Sequence, residues 1–314
     1  MKKKTTTLAL ILAALSVSIP ATVVYAARFK DVGKDHWAFS YISEMADKNV
    51  LSGYPDGTFK PDRPVSLPEI FVLIKGFKNP TDAVMKQAML SYSGMARTNG
   101  VPEWAVESAA YALDRGIITQ KQLQDAKAGG QLNAKDIVYP PRKEVAAYYA
   151  RALNLYGTKD NSNLKMKDLD RMGTVSNDID VQIPVADYVA ALVKEGILAA
   201  EGSDGFFQGD RPIRRSEMAI ISKKAGDYTP PAQVMKDVVI YTKEGCKYCE
   251  MTKTLFDDSL HNPYVEKDIS KDPVALREFQ EKGYRVVPVT IVDGKVIEGY
   301  SPFEIMALFD TRIK

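Results

Sequence analysis

Between residues 27 and 226 one two-helix pattern occurs three times, so any fold for this region must be assembled from like units. In the first helix of each copy, Ile42, Met45 and Ala46 correspond to Ala109, Ala112 and Leu113, and to Val189, Leu192 and Val193. That is an apolar i, i+3, i+4 face each time. Each helix closes alike, on Asn49-Val50-Leu51, Gly116-Ile117-Ile118 and Gly196-Ile197-Leu198, where Asn or Gly suits a left-handed C-cap. The second helix opens near Glu69, Glu144 and Glu217, whose charge suits a helix N-terminus. Its apolar residues are Ile70, Phe71, Leu73 and Ile74, then Val145, Tyr148 and Tyr149, then Met218, Ala219, Ile220 and Ile221. The copies span 27–80, 81–155 and 156–226.

A linker follows over 227–235, marked by Pro230-Pro231. From 236 to 314 the pattern changes to alternating strands and helices. Val238 to Tyr241 reads as a buried strand and Cys246 to about Asp258 as a helix with Met251, Leu255 and Phe256 on one face. A strand over Tyr264–Asp268 precedes a helix with Asp272 as N-cap and Pro273 at its first position, facing inward with Leu276, Phe279 and Gln280 and ending at Gly283. Val289–Val292 and Lys295–Glu298 flank Asp293-Gly294, a type I′ hairpin signal. A last helix covers Pro302–Phe309. The order β-α-β-α-β-β-α predicts a thioredoxin-like domain.

Cys246 and Cys249 are the only cysteines in 314 residues. They stand where the first strand of this domain passes into its first helix. Unpaired N–H groups and the helix dipole favour an anion there. A C-x-x-C thiol so placed has its pKa lowered from about 8.5 to between roughly 3.5 and 7.5. The context favours redox chemistry. Zinc is the first alternative, but it takes four ligands and the only histidines are His36 and His261. A structural bridge is the second, but so short a loop removes little unfolded-state entropy.

Met1 to Ala26 reads as a signal peptide: Lys2, Lys3 and Lys4 precede an apolar core, Leu8 to Val17, and Val24-Tyr25-Ala26 suits cleavage. An uncleaved anchor is the alternative. No later stretch approaches the roughly 20 apolar residues of a membrane helix. An exported, cell-surface location also suits a chain with no spare cysteine to mispair. With 45% hydrophobic and 26% charged residues and a net charge of +2, composition is that of a folded protein without a bulk electrostatic case for nucleic-acid binding.

Specific motifs carry two resemblances. Phe29-Lys30-Asp31-Val32, His36-Trp37-Ala38 and Gly53-Tyr54-Pro55-Asp56-Gly57-Thr58-Phe59-Lys60-Pro61 resemble an S-layer homology (SLH) repeat. The third copy keeps Gly205-Phe206-Phe207 and Ile213-Arg214-Arg215-Ser216-Glu217, and the second keeps Trp104 and Arg142-Lys143-Glu144. The resemblance implies an all-α pseudo-trimer that binds a secondary cell-wall polysaccharide or peptidoglycan-linked glycan. Its candidate contacts are Arg142, Arg215, Trp37, Trp104, Asp56 and Gly57. A bidentate arginine would hold an anionic sugar. The first copy has Leu67 at that position, so not every groove is expected to bind. Arg142 and Arg215 could instead be solvated cap residues. Core packing is the role expected first for Trp37 and Trp104, with Pro184 standing in their place in the third copy.

Residues 236–314 resemble glutaredoxins, on Tyr241 to Cys249, Val286-Val287-Pro288 and Glu298-Gly299-Tyr300. The family implies a cis Pro288 that sets the Val287 backbone beside the cysteines. Lys243, Tyr248, Val287, Pro288 and Gly299 become candidate substrate or glutathione contacts, and Lys243 could equally be a surface lysine. Glutathione-binding members carry Thr-Val-Pro and Gly-Gly. Here Val286-Val287-Pro288 and Glu298-Gly299 point away from glutathione dependence, and no cofactor beyond the cysteine pair is implied. The expected protein is a wall-anchored thiol–disulfide oxidoreductase. Cys246 attacks, Cys249 resolves, protein disulfides are substrates, and an unidentified electron donor or acceptor completes the cycle. The competing reading is an envelope structural protein whose redoxin-like domain only binds a partner.

Overall fold

The computed structural model describes residues 28–155, 160–176, 182–230, 235–260 and 262–309. The signal peptide expected over 1–26, linker residues 231–234 and His261 lie outside the described residues.

The first copy is α1 (Phe39–Asp47) and α2 (Leu67–Lys78). The second holds α3 (Asp82–Thr98), α4 (Glu103–Asp114), α5 (Gln120–Ala128) and α6 (Arg142–Ala152). The third has a short strand pair, β1 (Thr174–Ser176) and β2 (Gln182–Pro184), before α7 (Val185–Lys194) and α8 (Arg215–Asp227). The repeated faces meet in one core: Ile42, Met45, Ala109, Ala112, Val189 and Leu192 are buried in it, and Val193 and Ile220 are partly buried against it. Asn49, Gly116 and Gly196 all have positive φ, so the three first helices end through left-handed residues.

Two helices per copy were expected, and the second copy has more. Thr81 caps α3, and Met85, Ala88 and Ala96 turn its buried side toward α4. Thr119 and Gln122 form a capping box on α5.

Two of the second helices, α6 and α8, begin by docking on another copy. At the start of α8, Arg215 N donates to Arg63 O and Ser216 N to Pro61 O, both at 3.0 Å. At the start of α6, Arg142 N donates to Arg211 O at 2.8 Å and Lys143 N to Gly209 O at 2.9 Å.

The C-terminal unit contains β3 (Val238–Thr242), α9 (Lys247–Thr254), β4 (Val265–Asp268), α10 (Pro273–Glu281), β5 (Val289–Val292), β6 (Lys295–Glu298) and α11 (Pro302–Phe309). The sheet order is β4-β3-β5-β6, with β3 parallel to β4 and antiparallel to β5. Alternation along the strands fills both faces. Val238 and Ile240 pack with Phe256, Leu260, Ile305 and Phe309, whereas Tyr241 and Val289 pack with Phe279. Two local expectations need correction. The first helix gives way at Leu255–Leu260 to a wider π-helical turn. On α10, Ala275 and Phe279 are buried, but Leu276 and Gln280 are exposed, because the sheet meets only a narrow stripe of this helix.

Candidate active site

Gly245, at φ +72°, turns the chain from the end of β3 into α9. Cys246 is the N-cap of α9, and its Sγ accepts a hydrogen bond from Cys249 N at 3.1 Å. A disulfide joins Cys246 and Cys249, with Cα atoms 5.3 Å apart. Cys249 is fully buried and Cys246 half-buried, so an incoming thiolate meets the Cys246 sulfur.

The Val287–Pro288 peptide is cis. Val287 O lies 3.9 Å from Cys246 Sγ. Pro288 is buried, and its carbonyl accepts from Gly299 N at 2.8 Å, which ties the loop before β5 to the end of β6. Gly299 has φ +80°. Tyr248 is 40% exposed and stacks on Tyr300, ring centroids 6.2 Å apart. Val286, half exposed, precedes Val287, so the segments on both sides of the sulfur carry exposed side chains with apolar surface. Lys243 is exposed and has no ion pair among the described residues. Its backbone carbonyl receives Cys246 N at 3.1 Å.

On the repeats the tryptophans depart from expectation. Trp37 and Trp104 are 60% and 62% exposed, not in the core. Each stands at the entry to a first helix, where the next residue, Ala38 or Ala105, takes the fully buried position. Trp37 stacks on His36 at 5.7 Å. Asp56 closes its turn by accepting from Thr58 N and Oγ1, at 2.9 and 2.5 Å. Gly57 has φ +79° in the same turn, and Lys30 Nζ donates to Asp56 O at 3.1 Å.

Arg142 and Arg215 are neither solvated caps nor open toward a ligand. Their side chains are 11% and 8% exposed. Arg215 donates from Nε to Phe59 O at 2.9 Å and from Nη2 to Ser52 O at 2.7 Å, and lies over the Phe59 ring at 4.5 Å. It also reaches Glu69 at 3.5 Å. Arg142 Nη1 donates to Glu217 Oε1 at 2.8 Å, above the Phe207 ring. Both therefore tie one copy to another.

An equivalence between the first and third copies that the sequence reading missed is that of Asp31 and Asp168. Asp31 accepts from Phe59 N and Lys60 N, each at 2.7 Å, and Asp168 accepts from Phe207 N and Gln208 N at 2.7 and 2.8 Å. The signal was Met166-Lys167-Asp168-Leu169 beside Phe29-Lys30-Asp31-Val32.

Burial raises the Glu217 carboxyl, but hydrogen bonds from Arg211 and Arg214 N and the Arg142 charge outweigh it and hold the pKa at about 2. The native value lies below the unfolded one, so this stabilisation is present above about pH 4.5 and is lost as pH falls toward about 2. Replacing Glu217 with Gln will flatten that limb in melting temperatures measured from pH 6 to 2.

A family model for the S-layer homology domain matches residues 28–67 and 182–219, and one for glutaredoxin matches 238–297. The first span takes in Trp37, Asp56 and Gly57, the second Arg215 and Glu217, and the third both cysteines with Val287-Pro288. Arg142 and Trp104 fall between the matched spans. The chain is 44% identical over 54 residues, 17% of its length, to outer membrane protein alpha of Thermotoga maritima, covering 13% of that protein. It is 44% identical over 41 residues, 13% of its length, to the cellulosome-anchoring protein of Acetivibrio thermocellus, covering 9% of it. Outer membrane protein SlpA of Deinococcus radiodurans is 29% identical over 110 residues, 35% of this chain and 9% of SlpA. The chain thus spans only about a tenth of these relatives. Motifs, fold and matches agree: this chain carries S-layer homology domains at residues 28–67 and 182–219 and a glutaredoxin domain at residues 238–297.

Proposed function

We propose that this chain is an exported thiol–disulfide oxidoreductase held at the cell surface by its repeats. The observation that carries the reading is the Cys246–Cys249 bridge at the start of α9, one sulfur half-exposed and the other buried. In the reduced protein the Cys246 thiolate attacks a substrate disulfide. One substrate sulfur leaves as thiolate and the other stays bonded to Cys246. Cys249, deprotonated, then attacks the Cys246 sulfur, releases the second substrate thiolate and closes the bridge. Two electrons pass to the substrate, and a dithiol donor must return them; the reverse sequence oxidises a substrate dithiol. The Val287 carbonyl beside Cys246 and the Tyr248–Tyr300 stack suit an extended protein substrate. The test is insulin reduction by the full chain with a dithiol donor. Turnover supports the reading, and its absence leaves the domain a partner-binding module.

The repeats are proposed to close into a pseudo-trimer that binds a secondary cell-wall polysaccharide or peptidoglycan-linked glycan. The docking of α6 on the third copy and of α8 on the first supports this, as does the cellulosome-anchoring relative. With Arg215 committed internally, the contacts assigned to glycan are Trp37, Trp104 and the Asp56-Gly57 turn, whose aromatic faces can stack on sugar rings. Replacing Trp37 or Trp104 with Ala will weaken sedimentation with purified walls about fivefold or more. Thermal stability will barely change, since both side chains are exposed. Unchanged sedimentation in the double variant would remove this surface from the account.

A further inference from the structure

The flank of α9 that follows Cys246 faces a cleft of about 1050 Å³. Lys247, Glu250 and Met251 of α9 line it, with Tyr300 from the loop before α11. The rest of its lining comes from the repeats: Lys78 at the end of α2, Tyr92 of α3, and the turn from Arg115 to Thr119 between α4 and α5. The cleft therefore starts beside the attacking sulfur, since Lys247 adjoins Cys246 in the chain and Tyr300 stacks on Tyr248. Helix α3 has no counterpart in the other copies, so part of this lining is particular to the second copy. Drug-sized ligands occupy sites of about 300–1,000 Å³, so the space admits a peptide segment next to a substrate cysteine.

The charges around the cleft are unevenly matched. Asp114 pairs with Arg115 at 3.2 Å, Glu250 with Lys253 at 2.8 Å and Lys121 with Asp125 at 2.8 Å. Arg151 is held by the Tyr188 hydroxyl at 3.1 Å and by Gln122 Oε1 at 2.9 Å. Lys78, half-buried, and Lys247, exposed, have no ion pair among the described residues. Burial and the Arg115 charge both lower the pKa of the Lys78 ammonium, a shift that a nearby anion opposes.

We infer that this cleft takes the acidic flank of a protein disulfide, with substrate carboxylates pairing with Lys247 near the reacting sulfurs and with Lys78 on the repeats. The inference rests on the proposed thiol–disulfide exchange and adds no chemical step to it. An acidic segment fits because both unmatched groups are cations that carry donors only. Asp114 and Glu250 already hold cations, so a basic segment would meet the repulsion of Lys78 and Lys247.

The test follows reduction by the full chain, with a dithiol donor, of a mixed-disulfide peptide with Asp and Glu around its cysteine, of the same peptide with Lys in their place, and of hydroxyethyl disulfide. At about 0.05 M salt, kcat/KM for the acidic peptide will exceed that for the basic one about tenfold, mainly through KM, and at about 0.5 M the ratio will fall to about twofold. Lys78→Glu will lower the low-salt ratio about fivefold, Lys78→Gln about threefold, and Lys78→Arg will keep it. Melting temperatures establish that each variant is folded, and the salt dependence of the parent chain needs no variant. Equal kcat/KM for the two peptides, a ratio independent of salt, or an unchanged ratio in Lys78→Glu and Lys78→Gln overturns the inference. Turnover of hydroxyethyl disulfide without an acidic preference removes this inference and leaves the exchange reading standing. No turnover of any disulfide removes both.

Discussion

Replacing Cys246 with Ser will drop disulfide-exchange turnover to background and leave wall sedimentation as in the parent chain. The attacking species is a thiolate, and a serine hydroxyl is not activated at this position. Cys249 cannot take over, because it is fully buried in the first turn of α9. The loss should be on the order of 10³-fold or more, as for other nucleophile deletions. Cys249→Ser should behave differently. Its Cys246 can still attack, but resolution fails, so the substrate remains covalently attached. Non-reducing electrophoresis followed by mass measurement will display that adduct. Turnover surviving in Cys246→Ser would end the proposed chemistry, and wall binding lost in the same variant would show that the two activities are not separate.

Arg215→Ala should be the most disruptive single change in the repeats. Removing the side chain strips donors from Phe59 O and Ser52 O, takes a counter-charge from Glu69, and vacates the space over the Phe59 and Tyr54 rings. Breaking a buried pair by deleting one partner costs about 3–5 kcal/mol. Lysine should rescue poorly, because a single ammonium cannot reproduce the planar fork that serves two carbonyls. Urea unfolding, monitored by tryptophan fluorescence, measures the loss. A change under about 0.5 kcal/mol, the range of ordinary surface substitutions, would contradict the inward placement. Wall binding will fall with folding in this variant, so it reports on glycan contact only after stability is known.

The inward placement of Arg215 departs from the part first expected of it. From sequence, an arginine two residues before a helix glutamate resembled a sugar ligand. Arg215 meets Phe59 from 156 residues away, and Arg142 meets Glu217 across 75. No local pattern reports such pairings. The tryptophans failed for the opposite reason. A large aromatic beside an apolar helix face suggests burial, but Ala38 and Ala105 occupy the inward positions and leave the indoles outside. The α3 helix is legible locally: Val84, Met85, Ala88, Met89 and Tyr92 follow helical spacing after Thr81. It has no counterpart in the other copies, so the repeat pattern does not point to it.

What the chain alone determined is short in range. Helix faces, left-handed ends at Asn49, Gly116 and Gly196, the Asp293-Gly294 hairpin and a cysteine at a helix start all depend on neighbours within a turn or two. Backbone geometry and capping act over that distance, so residue order suffices. Only tertiary packing decided which cysteine meets solvent, that Arg142 and Arg215 join copies, and that Lys78 and Lys247 line one cleft. Exposure and charge pairing belong to surfaces brought together from distant segments, and only the folded chain assembles them.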